Sequence, residues 1–303
     1  MNTSYKAITE SYAQYLQTLG FAASTCYNYP RFVAQFLKYA EQKNNCSIDH
    51  ITTKTIWNYY THLEQEKGKR TKRSFGTSYL NGVSKSIDTF LEFLHQYGME
   101  NAPVPLNYRV ETNRIHPIKI FTQEEIKTLR DSITNTYSNL SFEERQAKQY
   151  ELRLILALFY GCGLRCAEGY RLQIQDVDFD RKTVFVKQGK YSKDRIVPMS
   201  AGVYKELQDY LYNFRHRLKL NHNRLFIHGK QALRIKLKQL QNACEDENIK
   251  AKRLYPHILR HSIATHLLQN GMAVENISRF LGHNGLESTQ IYTHILTENS
   301  DEL

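Results

Sequence analysis

Six polar side chains in the later part of the sequence have the types needed to transfer a phosphodiester. They are Arg165, Lys190, His257, Arg260, His283 and Tyr292. Two guanidiniums can hold the non-bridging oxygens of a phosphate and stabilise the charge of a pentavalent transition state. A lysine can protonate the departing oxygen, and a phenol can attack phosphorus if a neighbouring base takes its proton. Together these residue types predict phosphoryl transfer without a metal.

Two stretches place polar residues one helical turn apart. In GCGLRCAE, Arg165 and Glu168 are three residues apart, so on a helix Glu168 shares a face with the guanidinium and can orient it as a supporting acid. The alternative is an ordinary surface ion pair. In PHILRHS, Pro256 suits a helix start, and His257 and Arg260 are again three residues apart.

The other candidates lie in a predicted hairpin and near the carboxyl end of the chain. TVFVKQ and DRIVPM flank GKYSK, which predicts a hairpin with its turn near residues 189–193 and Lys190 at its tip. The stretch LGHNGLESTQIYTH supplies His283 and Tyr292, and Gly282 is suited to end the preceding helix. The alternative for this tyrosine is packing alone.

The histidines allow two interpretations. In phosphoryl transfer, His257 is the candidate base for the phenol proton, and His283 is the candidate donor to a phosphoryl oxygen. Alternatively, His257, His261 and His266 include a pair four residues apart that resembles part of a metal site. No Glu lies between them as in a zinc-protease helix, and no nearby Cys or Asp completes a set. We therefore expect structural roles for His261 and His266, and neither metal nor cofactor.

Charge favours a polyanionic partner. The chain has 41 Lys and Arg against 30 Asp and Glu, which gives a net charge of +11. No acid occurs in residues 210–243, and KGKRTKR at residues 67–73 is a second basic run. The alternative, two solvated faces, lacks the expected counter-charges. Candidate DNA contacts in these segments are Lys69, Arg70, Lys72, Arg73, Lys230, Arg234 and Lys236.

The elements that must position these residues form two predicted domains. Apolar residues recur at helical spacing through the first hundred residues, and a proline-containing segment without sustained periodicity follows. We predict a helical domain at residues 1–105, a linker at 106–117 and a second domain at 118–303. The second domain is predicted to be mostly helical with a small β-sheet or hairpin. The whole is mostly α, and its two domains are expected to close on DNA as a clamp.

The sequence also predicts a location. The first twenty residues lack the apolar core of a signal peptide, and the longest apolar stretch is too short to span a bilayer. Five scattered cysteines indicate neither a disulfide framework nor a zinc cage. We expect a protein of the bacterial cytoplasm that is associated with the nucleoid and has no membrane partner.

Four stretches of the chain resemble the signature of a known family. The stretches GLRCAE, GKYSKDRIVP, HILRHSIATHLLQNG and LGHNGLESTQIYTH resemble, in order and spacing, the signature of the tyrosine site-specific recombinases, which include phage-type integrases and Xer-like recombinases. The helical first hundred residues resemble the core-binding, SAM-like domain of that family. The G-L-R-x-x-E motif is weak alone, whereas H-x-x-R followed by L-G-H and a tyrosine nine residues later is specific.

The resemblance implies a role for each candidate. Arg165 and Arg260 would clamp the phosphate, with Glu168 as the supporting acid. Lys190 would be the general acid, an assignment over Lys193 that follows the G-K after the first strand. His257 and His283 would be the two active-site imidazoles. Tyr292 would be the nucleophile.

The resemblance also implies a reaction and its partners. The reaction would pass through a 3′-phosphotyrosyl link and a Holliday junction, with four protomers on two duplexes that carry specific sites. It leaves open an accessory DNA-bending protein. Xer-like relatives carry a longer tail after the tyrosine than THILTENSDEL. Either this tail is a minimal docking segment for a neighbouring protomer or another surface makes that contact.

The sequence is compatible with several functions. We favour integration or excision of a mobile element, or inversion of DNA, with chromosome dimer resolution as the alternative use of the same chemistry. A type IB-like topoisomerase would cut and reseal a single duplex with similar residues. A non-catalytic DNA-binding protein would use the basic segments alone.

Overall fold

The structure is a computed structural model of the chain. It describes residues 1–45, 47–67, 74–111, 118–187, 194–218 and 220–282. The chain divides into two compact units, Met1–His116 and Pro117–Leu303. In the described residues no helix is long and apolar enough to cross a bilayer.

The amino-terminal unit is helical. Its helices are α1 (Thr3–Thr18), α2 (Ala23–Gln42), α3 (Thr53–Gln65) and α4 (Thr77–Gln96). Each helix presents an apolar stripe to one shared core, in which Tyr12, Phe36 and Phe90 are fully buried. Burial of these rings, together with the aliphatic side chains of the same core, stabilises the unit through the hydrophobic effect.

The segment after α4 lies against that helix. The buried carboxylate of Asp88 accepts hydrogen bonds from the backbone N–H groups of Leu106 and Asn107, at 3.1 and 3.3 Å, and pairs with Arg109 at 2.9 Å. Asn81 exchanges two hydrogen bonds with the backbone of Val110. Residues 106–111, predicted to be linker, are therefore fastened to α4 by side chains that a proline-based prediction does not consider.

The carboxyl-terminal unit combines helices with a small sheet, as the sequence predicts. Its helices are α5 (Gln123–Asp131), α6 (Phe142–Leu156), α7 (Cys166–Arg171), α8 (Ala201–Asn213), α9 (Lys230–Ala243), α10 (Glu247–Ala251), α11 (Pro256–Gln269) and α12 (Val274–Leu281). A π-helical turn, Ala157–Gly161, continues α6. The core includes Phe121, Phe159, Tyr210 and Phe226, all fully buried or nearly so.

The described strands form an antiparallel sheet in the order β1-β2-β3. They are β1 (Val177–Asp178), β2 (Thr183–Val186) and β3 (Arg195–Pro198). Strands β2 and β3 pair with Val186 opposite Arg195 and Val184 opposite Val197. These four side chains are buried because alternate residues of a strand face the same side. The predicted pair of strands is confirmed, and β1 was not predicted.

The beginning of the carboxyl-terminal unit is fastened to Lys252, which directly follows α10, and to Ser262 of α11. Lys252 donates from Nζ to the Ile120 carbonyl at 2.8 Å and pairs with both carboxylate oxygens of Glu125. The backbone N–H of Phe121 donates to Ser262 Oγ at 3.0 Å. The Ser262 contact fixes α11, which carries two of the candidate residues, against the segment before α5, and the Lys252 contacts fix the end of α10 against Glu125 of α5.

Candidate active site

Glu168 is the centre of the site, and Arg165 reaches it twice. The Arg165 backbone N–H donates to Glu168 Oε2 at 2.8 Å, and Arg165 Nη1 donates to Glu168 Oε1 at 2.7 Å. Arg165 has an extended backbone and caps α7, with Glu168 as the third residue of that helix. The predicted pair is present, but the prediction that both residues lie on a helix is corrected. The pair is a helix cap, in which an acid satisfies a free N–H of the first turn.

A tight turn delivers Arg165 to this position. In the π-helical turn, Cys162 N–H bonds to the Ala157 carbonyl at 3.1 Å, and Gly163 follows with φ of 59°. A β-carbon on Gly163 would lie 2.8 Å from Leu281 Cδ2. Only glycine combines this left-handed backbone with so close an approach to α12.

Arg260 reaches the same place from α11. This helix begins at Pro256, as predicted. Arg260 is 3% exposed, and its side chain donates from Nη1 to the Gly163 carbonyl at 2.6 Å and from Nη2 to the Leu281 carbonyl at 2.7 Å. Its guanidinium also lies 3.9 Å from a Glu168 oxygen. A buried guanidinium therefore joins the loop before Arg165 to the end of α12.

Arg195 is part of the site, and the sequence prediction missed it. It is 9% exposed and donates from Nη1 and Nη2 to the two oxygens of Glu168, at 3.2 and 3.0 Å. Its Nε donates to the Phe280 carbonyl at 2.9 Å. One signal could have found it. In DRIVP the alternation that buries Val197 also turns Arg195 inward, and an inward arginine requires an acidic partner.

Three arginines hold consecutive carbonyl groups at the end of α12. Arg195, Arg260 and Arg165 bind the carbonyl oxygens of Phe280, Leu281 and Gly282 respectively. The last carbonyls of a helix have no partners within the helix and carry partial negative charge, so cations stabilise them. Gly282 ends α12 with φ of 66°, which confirms the predicted helix stop.

The electrostatics keep Glu168 ionised. Burial alone would raise the pKa of this carboxyl group, but the hydrogen bonds and charge of Arg195, followed by those of Arg165, lower it to about 2. The carboxylate therefore neutralises part of the buried positive charge at any physiological pH. Positive charge remains in excess, and the Arg165 side chain is 34% exposed. The arrangement is suited to binding an anion.

His257 lies at the exposed start of α11, one turn before Arg260. Partial desolvation and the charges of Arg260, Arg165 and Arg234 lower the pKa of its imidazole below 6.5. A neutral imidazole at physiological pH can accept a proton, as a base must.

The other two histidines of α11 are in the interior or near it. His266 is 3% exposed, and its Nδ1 lies 2.9 Å from the Tyr160 hydroxyl oxygen. Burial, followed by the charges of His257 and Arg260, lowers the pKa of His261 to about 4. In the described residues, no three His, Cys, Asp or Glu side chains come together as a metal-binding group.

Three predicted catalytic residues lie outside the described residues. They are Lys190, His283 and Tyr292, together with the alternative Lys193. Described positions lie on both sides of the two lysines and before His283. Val186 and Arg195 mark the base of the hairpin strands, and Gly282 directly precedes His283.

The predicted DNA contacts divide into three groups. Lys69, Arg70, Lys72 and Arg73 lie outside the described residues. Lys230 and Arg234 are exposed on α9. Lys230 Nζ lies 5.4 Å from the centre of the Tyr170 ring, and Arg234 acts electrostatically on His257. The exposed basic side of α9 is therefore near the arginine cluster.

The prediction for Lys236 is wrong. Its side chain is 10% exposed, and its Nζ pairs with the buried carboxylate of Glu151 at 2.6 Å. Within α9 it lies on the buried stripe with Leu233, Leu237 and Leu240. A charge count along the chain does not distinguish this inward lysine from its exposed neighbours.

Comparison with known sequences supports the resemblance. The model of the Phage integrase family matches residues 119–299. Tyrosine recombinase XerD of Halalkalibacterium halodurans is 30% identical over 283 residues, which cover 91% of this chain and 88% of that protein. Tyrosine recombinase XerC of Staphylococcus aureus USA300 is 29% identical over 283 residues, covering 91% and 87%.

Solved structures share the fold. The post-cleavage complex of XerH site-specific recombinase with palindromic difH substrate aligns with a TM-score of 0.70 and 17% identity, covering 99% of this chain and 84% of that chain. The Tn1549 transposon integrase in complex with transposon right end DNA aligns with a TM-score of 0.68 and 17% identity, covering 98% and 99%. At these identities the likeness is one of fold.

Proposed function

The chain belongs to the phage integrase family of tyrosine recombinases, enzymes that transfer DNA strands in site-specific recombination, and we propose that Tyr292 is its nucleophile. One observation supports the proposal most directly. Arg165 and Arg260, which come from separate elements, meet at the Glu168 carboxylate beside an imidazole whose lowered pKa keeps it neutral.

In the proposed first step, Arg165 and Arg260 hold the non-bridging oxygens of the scissile phosphate. A guanidinium has five N–H donors in a fixed plane, so one that binds a carbonyl group can also bind a phosphate. The Tyr292 phenol oxygen forms a bond to phosphorus while the bond to the 5′ oxygen breaks. His257 takes the phenol proton, and Lys190 or Lys193 gives a proton to the 5′ oxygen.

The second step reverses these roles with a new strand. A 5′ hydroxyl attacks the phosphotyrosine, its proton goes to the lysine, and the tyrosine leaves with a proton from His257. His283 donates a hydrogen bond to a phosphoryl oxygen in both steps. The number of phosphodiester bonds is unchanged, so the exchange needs neither ATP nor another energy source.

We propose that DNA lies against basic segments of both units. Lys230 and Arg234 on α9 would contact phosphates near the reacting one, and the basic run at 67–73 would contact the duplex from the amino-terminal unit. That unit would be the core-binding domain, and the two units would close on the duplex as a clamp. Four protomers on two duplexes would assemble for strand exchange in a bacterial cytoplasm.

The biological role proposed is integration or excision of a mobile element, or inversion of DNA. The Tn1549 integrase, which shares the fold, is a transposon enzyme. Chromosome dimer resolution is the second candidate, favoured by the sequence likeness to XerC and XerD. Deletion of the gene from the host chromosome distinguishes these two roles. Accumulation of chromosome dimers indicates resolution, whereas loss of one rearranged locus indicates integration or inversion.

Covalent capture tests the chemistry. The protein is incubated with sheared genomic DNA of its host, denatured, and the DNA that stays attached is sequenced. We expect attachment at one defined site, with and without EDTA, and none with Tyr292→Phe. Attachment through another residue would refute the assignment. Relaxation of a plasmid that lacks the captured site would indicate a topoisomerase.

The captured site then tests the general acid. On a nicked substrate with that site, Lys190→Ala should abolish rapid cleavage while Lys193→Ala retains it. A 5′-thio leaving group needs little protonation, so it should restore cleavage to the variant that lost the general acid. Restoration of Lys193→Ala alone would reverse the assignment.

A further inference from the structure

Arg195 is held in the site by contacts that shield most of it from solvent. Its residue exposure is 9%, and its hydrogen bonds join three elements, because it lies on β3, binds Glu168 of α7 and binds the Phe280 carbonyl of α12. A buried guanidinium has a high desolvation cost, which these charge-assisted contacts offset. An apolar residue at this inward position of β3 would avoid that cost, so the arginine calls for a function.

We propose that Arg195 is a positioning residue for DNA cleavage, which shares the Glu168 carboxylate with Arg165 so that Arg165 is directed to the scissile phosphate. The inference rests on the proposed function. It concerns a residue that does not itself touch the DNA.

Arg195 and Arg165 bind Glu168 in different ways. Arg195 binds both carboxylate oxygens, while Arg165 reaches Oε1 with Nη1 and the Gly282 carbonyl with Nη2. Without Arg195, the paired geometry that an arginine prefers with a carboxylate would become available to Arg165. Its guanidinium would then turn towards Glu168 and away from a phosphate. The contact of Arg195 prevents that capture.

The same contacts connect the hairpin to the phosphate clamp. Arg195 pairs with Val186 across the base of the hairpin strands and is two residues beyond Lys193 in the chain. Its Nε contact holds the Phe280 carbonyl, two residues before Gly282. A shift of β3 would therefore move Glu168 and the end of α12 together.

The test compares two substrates. One is the nicked DNA with the captured site, and the other replaces a non-bridging oxygen of the scissile phosphate with a methyl group, which removes its charge. Single-turnover cleavage rates are measured for wild type, Arg195→Lys and Arg165→Ala. Lysine keeps the positive charge but cannot bind both carboxylate oxygens in the forked geometry. The exposed Arg181→Lys, with a side chain 83% exposed, is the matched control.

We expect Arg195→Lys to slow cleavage of the phosphodiester about 10- to 100-fold, by analogy with the loss of a hydrogen-bond partner that orients a metal ligand. On the uncharged methylphosphonate, the ratio of the wild-type rate to the Arg195→Lys rate should fall towards one. The same ratio for Arg165→Ala should also fall towards one. The affinity of Arg195→Lys for DNA should match that of wild type. The cleavage rates of the control, Arg181→Lys, should match those of wild type on both substrates. An equal loss on both substrates, or no loss, would overturn the proposal.

A second pair of variants guards against misfolding. Arg195→Met leaves the Glu168 charge without this partner, and Arg195→Met with Glu168→Gln removes that charge. If Arg195 acts by sharing the carboxylate, the double variant should cleave faster than Arg195→Met alone. Equal or slower cleavage by the double variant would count against it. Failure of wild type to form a tyrosyl adduct would instead refute the proposed function, and no Arg195 variant is needed to see it.

Discussion

Arg260 Nη2 lies 2.7 Å from the carbonyl oxygen of Leu281, so the helix that carries two candidate catalytic residues is joined to the last turn of α12. The same guanidinium binds the Gly163 carbonyl. A residue assigned to phosphate binding is therefore also a structural link. A substitution of Arg260 is therefore expected to change both the rate of DNA cleavage and the free energy of unfolding.

Replacing either clamp arginine should separate these two roles. We expect Arg165→Ala and Arg260→Ala to slow DNA cleavage by about 10²–10³, as the loss of one oxyanion donor does. Arg260→Ala should also lower the free energy of unfolding, since it leaves two buried carbonyl groups without this donor. Arg165→Ala should destabilise less, because Arg165 is more exposed. Cleavage rates and urea unfolding measure the two effects, and a near-normal cleavage rate would exclude the residue from the clamp.

Gly163→Ala should disturb the approach of the Arg165 loop to α12. The new methyl group would lie 2.8 Å from Leu281 Cδ2, at a φ of 59°. We expect a loss of about 1–3 kcal/mol in the free energy of unfolding, from crowding and backbone strain together. Gly271→Ala has φ of 81° with open space around it, and it measures strain alone. Gly202→Ala, in open space within α8, should be neutral or stabilising.

Acid should destabilise the carboxyl-terminal unit through Glu168. The folded pKa of about 2 is below the ordinary value of 4.5, so this carboxylate stabilises the fold above pH 4.5. That stabilisation, on the order of 3 kcal/mol, is lost as pH falls from 4.5 to 2. Urea unfolding against pH should show a decline that is smaller in Glu168→Gln. Equal declines in both proteins would contradict the assigned pairing.

The pH dependence of cleavage should follow the imidazole of His257. A base must be neutral, so at subsaturating DNA the rate should rise with pH through the pKa of His257, which lies below 6.5. Arg234→Gln removes one of the charges that lower this pKa, so the rise should move to higher pH. Lys238→Gln, exposed on the same helix, is the control and should leave its midpoint unchanged. An unmoved midpoint in Arg234→Gln would argue against His257 as the base.

Lys230 and Lys236 of α9 should behave oppositely. Lys230→Gln should weaken DNA binding and reduce the salt dependence of log K by about 0.9, the value for one phosphate contact. Lys236→Met should leave that slope unchanged and cost about 3–5 kcal/mol in stability, because the buried Glu151 carboxylate loses its partner at 2.6 Å and keeps the longer contact with His228 at 3.8 Å. Salt titrations and urea unfolding distinguish them. A reduced slope in Lys236→Met would restore it as a DNA contact.

The sequence predicted contacts between near neighbours better than contacts between distant segments. The Arg165 and Glu168 pair was predictable because three residues separate them, although it forms a cap rather than a helical face. Arg195 was missed because its partners are 27 and 85 residues away. Periodicity can show that such a side chain points inward, but it does not say which acid it meets.

The same limit applies to Lys236 and to Gly163. The spacing of Leu233 and Leu237 shows that Lys236 lies on the buried stripe of α9, yet its partner Glu151 is in another helix. The need for glycine at 163 comes from Leu281, more than a hundred residues later. Local patterns thus identify the elements and many chemical groups, while the close approaches that set the geometry depend on tertiary packing.

The Glu168 carboxylate, which three arginines share, determines how much positive charge the reacting phosphate must balance. Arg165, Arg195 and Arg260 carry three positive charges around the one negative charge of Glu168, which leaves two. A bound phosphodiester carries one negative charge, so the ground state leaves one positive charge unmatched. Attack by the phenol, whose proton passes to His257, makes a phosphorane with two negative charges, and only then does the charge on phosphorus match the excess of two positive charges on the three arginines and Glu168. The cluster of the three arginines and Glu168 is therefore electrically complementary to the transition state rather than to the substrate.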